Sequence, residues 1–130
     1  MANSVTTQLL QDGERNVVLK VVGILDTGNY AKATLLDIST LVPEPARVSL
    51  VKAIYSVQEP LSVNLYWDAT TDVPIIVMAG TDHQDFRRTG PLSNNGGAGL
   101  NGDVLMETTG YSAGTVTFYV DLWFTKGNLV

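Results

Sequence analysis

Thr115-Val116-Thr117-Phe118-Tyr119-Val120-Asp121-Leu122-Trp123-Phe124-Thr125 decides the fold class. Val116, Phe118, Val120, Leu122 and Phe124 recur at every second position, with Thr115, Thr117, Tyr119, Asp121, Trp123 and Thr125 between them. Successive side chains of a β-strand point to opposite faces, so this spacing predicts a long strand with one buried and one outer face. The same alternation carries Leu61, Val63, Leu65 and Trp67, separated by Ser62, Asn64 and Tyr66. Residues 47–58 predict a further strand, with Val48, Leu50 and Ile54 on one face and Val51, Ala53, Tyr55 and Val57 on the other. Glu59-Pro60 lies between these two runs, and the spacing predicts a hairpin.

Working outward, residues 15–26 are apolar on both parities through Val17, Val18, Leu19, Val21, Val22, Ile24 and Leu25. That pattern fits a strand covered on both faces; a buried helix is the competing reading, and the density of valine favours the strand. Residues 4–11 read as a short first strand ending in an Asp12-Gly13 turn. Residues 31–41 fit either a turn or two of helix or an edge strand. Residues 73–78 and 104–108 read as strands, and 81–89 as an exposed strand or loop. The sum is an all-β chain of about seven to nine strands: a single antiparallel β-sandwich, jelly-roll or related, spanning 1–130, with an irregular Gly/Asn-rich loop at about 91–103. The expected core is Val17, Leu19, Val21, Leu50, Ile54, Val63, Leu65, Trp67, Ile75, Val77, Val116, Phe118, Val120 and Leu122.

A chain of 130 residues can bury a core without staples, and this one has no cysteine to make any. The missing thiols also remove thiolate catalysis and Cys-ligated zinc. Thirteen acidic residues against 8 basic give a net charge of -5. Phosphate backbones demand a cationic footprint, so nucleic acid is not an expected partner. No apolar run approaches the roughly 18 residues of a membrane span, and the N-terminus lacks the charged and apolar regions of a signal peptide. The chain is therefore expected to fold where it is synthesised, away from membranes.

Residues that carry chemistry are sparse. Asp82-His83-Gln84-Asp85 holds the single histidine, which with its carboxylates could seed a metal site or an acid–base pair. Neighbouring strand residues diverge, however, so a solvated polar strand or loop is the preferred reading. Residues 92–103, Leu-Ser-Asn-Asn-Gly-Gly-Ala-Gly-Leu-Asn-Gly-Asp, lack the lysine of a phosphate loop, and they match a Gly-Gly-x-Gly-x-Asp calcium turn only once, with Asn101 at the ligand position. A contact loop that orders against a neighbour, and a plain surface loop, remain even alternatives. Trp67 reads as core. Tyr119 and Trp123 on the polar side of the last strand read as buried within the fold or between subunits, or as a platform for a sugar. No cofactor, no metal and no enzymatic activity are expected.

Several stretches together resemble small structural proteins encoded among the head genes of tailed bacteriophages. They are Met1-Ala2-Asn3-Ser4-Val5-Thr6-Thr7-Gln8, the segment 12–23, Val63-Asn64-Leu65-Tyr66-Trp67-Asp68-Ala69, Asn94-Asn95-Gly96-Gly97-Ala98-Gly99 with Gly102-Asp103-Val104-Leu105, and 108–114. The resemblance implies a virion protein of the capsid decoration or cement type. Such a protein is made in the host bacterial cytoplasm and sits on the capsid surface against the major capsid protein. It is commonly a homo-oligomer, a trimer favoured here over a dimer. The contact residues expected on this reading are Ala2, Asn3, Ser4, Val5, Asn94, Asn95, Gly96, Gly97, Leu100, Asn101, Tyr119 and Trp123. The alternative is a carbohydrate- or receptor-binding module of a phage tail or head fibre, with Tyr66, Tyr119 or Trp123 as the stacking platform.

Overall fold

The computed structural model describes residues 3–42, 45, 47–86, 90, 92 and 103–126. They form nine strands: β1 (Ser4–Asp12), β2 (Asn16–Leu25), β3 (Ala33–Leu36), β4 (Val48–Val57), β5 (Ser62–Trp67), β6 (Val73–Met78), β7 (Gly80–Asp85), β8 (Val104–Thr109) and β9 (Val116–Lys126). A single 3-10 turn, Ile38–Thr40, follows β3 and is capped by the Asp37 carboxylate accepting from Ser39 N–H. The ambiguous segment 31–41 thus resolves into a short edge strand and that turn.

Two antiparallel sheets result, with strand orders β1-β2-β9-β4-β7 and β3-β8-β5-β6. From β2 onward the pairs β2–β9, β3–β8, β4–β7 and β5–β6 nest inside one another, as in one long hairpin rolled onto itself. This is the jelly-roll wrapping of a β-sandwich. β1 is a strand added outside that roll, on the open edge of β2.

The buried face of β9 is the one its alternation announces: Val116, Phe118, Val120, Leu122 and Phe124, continued by Lys126. Across from it, β2 turns Val17, Leu19, Val21, Gly23 and Leu25 inward. The second sheet closes the core with Leu36, Val63, Leu65, Trp67, Met78, Val104 and Met106. Gly23 faces Phe118 across the β2–β9 pair, and a Cβ there would stand 2.1 Å from the Phe118 ring, so only glycine lets that ring lie flat on the strand.

Four expectations need correcting. β2 is covered on one face only: Val22 and Ile24 are 39% and 40% exposed on the outer surface. β4 and β5 form no hairpin, because the turn after Gln58 carries the chain from one sheet to the other. Ile54 leaves the core because Val51 is an extra residue in β4: Leu50 pairs with Phe124 and Lys52 with Trp123. That bulge switches parity, so Val48 and Leu50, then Ala53, Tyr55 and Val57, face inward together. Ile75 and Val77 leave the core for a similar reason. Ile75 is the extra residue between Leu65↔Ile76 and Tyr66↔Pro74, which turns Val77 outward on an edge strand and leaves Ile75 only partly buried.

Both ends of the sandwich are tied by side chains. At one, Asn3 Oδ1 accepts from the backbone N–H groups of Asp26 and Thr27 (2.8 and 3.0 Å), while Tyr111 donates its hydroxyl to the Asp26 and Gly114 carbonyls. At the other, the buried Lys126 ammonium pairs with Asp12 at 2.7 Å, and Asp12 also accepts from Val42 N–H.

Candidate functional site

Paired residues of neighbouring strands share a face, so the registers map the outer surface of the five-stranded sheet row by row. One row runs Gln11, Val18, Trp123, Lys52, Asp85; the next Gln8, Lys20, Asp121, Ile54, His83. A third runs Thr6, Val22, Tyr119, Ser56, Thr81, and a fourth Ser4, Ile24, Thr117. On the inner strands Val18, Val22, Ile24, Ile54 and the two aromatics are interspersed with Lys20, Lys52 and Asp121, while Gln, Thr and Ser lie along the β1 edge and Asp85, His83 and Thr81 along the β7 edge. Tyr and Trp on such a face are residue types enriched at protein interfaces.

Charges are woven into the centre. Lys20 Nζ lies 5.3 Å from the Tyr119 ring centroid and Lys52 Nζ 5.1 Å from that of Trp123, both within cation–π range. Tyr119 donates its hydroxyl to Asp121 Oδ2 at 2.6 Å, and that bond to a carboxylate holds the phenol above its usual pKa. Asp121 Oδ1 is shielded from solvent and has no hydrogen-bond partner among the described residues. Trp123 remains 38% exposed. Beside it a hollow of about 440 Å3 is lined, among the described residues, by the uncharged side chains of Val18, Val51, Phe124, Gln11, Asn16 and Thr125.

The expected contact residues divide three ways. Tyr119, Trp123 and Ser4 share this outer face, with Ser4 on the β1 edge in the fourth row and Trp123 in the first. Val5 pairs with Gly23 and packs against the core from the inner side, and the Asn3 amide is consumed in holding residues 26–28. Ala2, Asn94, Asn95, Gly96, Gly97, Leu100 and Asn101 lie outside the described residues; of their loop, Leu92 is seen pairing with Leu50. Tyr66 sits on the other sheet, where Lys32 Nζ covers its ring at 4.1 Å and its hydroxyl binds Glu107, so the three aromatics do not form one row.

His83 lies on edge strand β7, largely exposed, with its Nδ1 3.9 Å from Asp82. Among the described residues no three His, Asp or Glu side chains converge as a metal site. Val18, Val22, Ile24 and Ile54 were absent from the expected site. The available signal was the parity of β9: once Trp123 and Tyr119 face outward, the residues paired with them must do so too. No protein-family model, no curated protein and no solved structure matches this chain.

Proposed function

We propose that the chain is a virion structural protein of a tailed phage, a non-enzymatic decoration or cement protein that docks on the assembled capsid and reinforces it. The observation that carries this reading is the aromatic-centred outer face of the five-stranded sheet. Val22, Ile24 and Trp123 are exposed on this one face, and apolar surface grouped on a face is what a partner would cover. The resemblance of segments along the chain to phage head proteins implies the major capsid protein as that partner. A ligand that binds only the assembled shell stabilises it by mass action.

Co-sedimentation with shells lacking the protein tests the proposal. Saturable binding at a fixed ratio, with shells that then survive more heat, is the expected result. Absence of binding, or binding indifferent to Trp123→Ala and Ile24→Thr together, overturns it.

A second reading is favoured by the hollow beside Trp123, whose lining among the described residues carries no charge. An exposed indole with the amides of Gln11 and Asn16 and the Thr125 hydroxyl around it suits a neutral sugar ring. Binding on a glycan array that disappears with Trp123→Ala, from protein that ignores shells, would replace the first reading by this one.

A further inference from the structure

Four strands form the edges of the two sheets, and three of them carry features that discourage further pairing. β7 bears Asp82, His83 and Asp85; β3 has four residues; β6 contains Pro74 and the Ile75 bulge. β1 has none of these over most of its length. Its nine residues include no proline and no glycine, its bulge lies near the far end at Leu10, and its one charge, Asp12, is the last residue and is engaged by Lys126. Among the described residues β1 pairs with β2 alone, and Leu9 and Leu10 are 46% and 50% exposed. A long, uncharged edge is a template for another strand.

We propose that this edge is occupied by β1 of a second copy of the chain, antiparallel, about a two-fold axis at Thr7. The edge is self-complementary in that register. Thr7 meets Thr7; Val5 meets Leu9, both on the inner parity set by their pairing with Gly23 and Leu19; Thr6 meets Gln8 on the outer parity. The exposed Leu9 gains an apolar neighbour and no like charges are opposed. For a chain of net charge -5, the uncharged stretch from Ser4 to Gln11 is a place where two copies approach without opposing their acidic groups. The pair would carry one ten-stranded sheet, with both aromatic faces displayed on the same side and related by the two-fold.

The seam does not depend on the capsid reading, and its test uses the full chain alone. Light scattering is expected to give about 28 kDa, twice the 14.0 kDa chain. Thr7 is exposed, so Thr7→Lys and Thr7→Glu are expected to melt like the parent at dilutions where all are monomeric, while each weakens the dimer by about fivefold or more through like charges at the axis. Mixing the two variants is expected to restore a mixed dimer. Thr7→Cys, in a chain without cysteine, is expected to give a disulfide dimer on oxidation. A monomer at about 100 μM, a trimer, or a dimer that neither charge weakens overturns the proposal. A Thr7→Lys monomer that still binds shells leaves docking intact, and a dimer that ignores shells leaves the seam intact.

Discussion

Gly23 is the residue where a side chain does most by being absent. The Phe118 ring occupies the space a Cβ would take, and Phe118 is itself buried in the core. Gly23→Ala is therefore expected to cost about 1–3 kcal/mol by overpacking. Combining it with Phe118→Leu should recover part of the loss, which urea melts of the four species in a double-mutant cycle would show. Asp12 makes the opposite case, a residue held by what it touches. Burial pushes its carboxyl upward, but the Lys126 ammonium and Val42 N–H outweigh that and hold it below the ordinary carboxylate value. The native chain thus releases this proton more readily than the unfolded one. Its stabilising contribution is complete above the unfolded value, about pH 4, and is lost as pH falls through the folded value. Asp12→Asn is expected to lose about 1–3 kcal/mol at pH 7. Thermal melts should show the gap from the parent closing as the pH drops below about 4.

At the scale of the element, β4 explains why alternation alone misassigned a face. Read without interruption, its apolar residues split into two sets, Val48 with Leu50 and Val51 with Ala53, Tyr55 and Val57. One extra residue at Val51 reconciles them: Val48 and Leu50, then Ala53, Tyr55 and Val57, reach a single buried face, while Val51 itself lines the hollow beside Trp123. A one-residue slip in a strand flips every side chain beyond it. Deleting Val51 must therefore expose either Val48 and Leu50 or the trio Ala53, Tyr55 and Val57. The expected cost is about 4 kcal/mol or more, read as a lowered urea midpoint or as loss of the near-ultraviolet signal. Deleting Thr70, in the exposed turn before β6, should cost far less. β2 misled in another way. Its double-sided apolar run resembled an interior strand, but the second sheet covers only one side, and the surplus Val22 and Ile24 belong to the outer face.

At the scale of the whole molecule, the two tryptophans have opposite duties. Trp67 is 1% exposed in the core between the sheets, whereas Trp123 stands on the outer face with Lys52 against its ring. Trp67→Ala is expected to cost about 3–5 kcal/mol. Trp123→Ala should cost about 1 kcal/mol or less in stability and show its main effect in shell binding. Thermal melts paired with co-sedimentation separate the two, and equal losses of stability would remove Trp123 from the docking surface. The net charge acts at this scale as well: it disfavours indiscriminate self-association, and the uncharged edge of β1 is where the proposed seam between copies opposes no acidic groups.

The sequence by itself determined the all-β class, the length and parity of β9, and the inward set Leu61, Val63, Leu65 and Trp67. Period-two alternation is a local property, and burial on one face rewards it directly. It also marked Tyr119 and Trp123 as outward. Only the tertiary structure decided which strands are neighbours, that β4 and β5 part into different sheets, and that Val18, Val22, Ile24 and Ile54 surround those aromatics. Strand pairing joins residues far apart in the chain, and a bulge changes parity without changing composition, so neither leaves a mark that alternation can read.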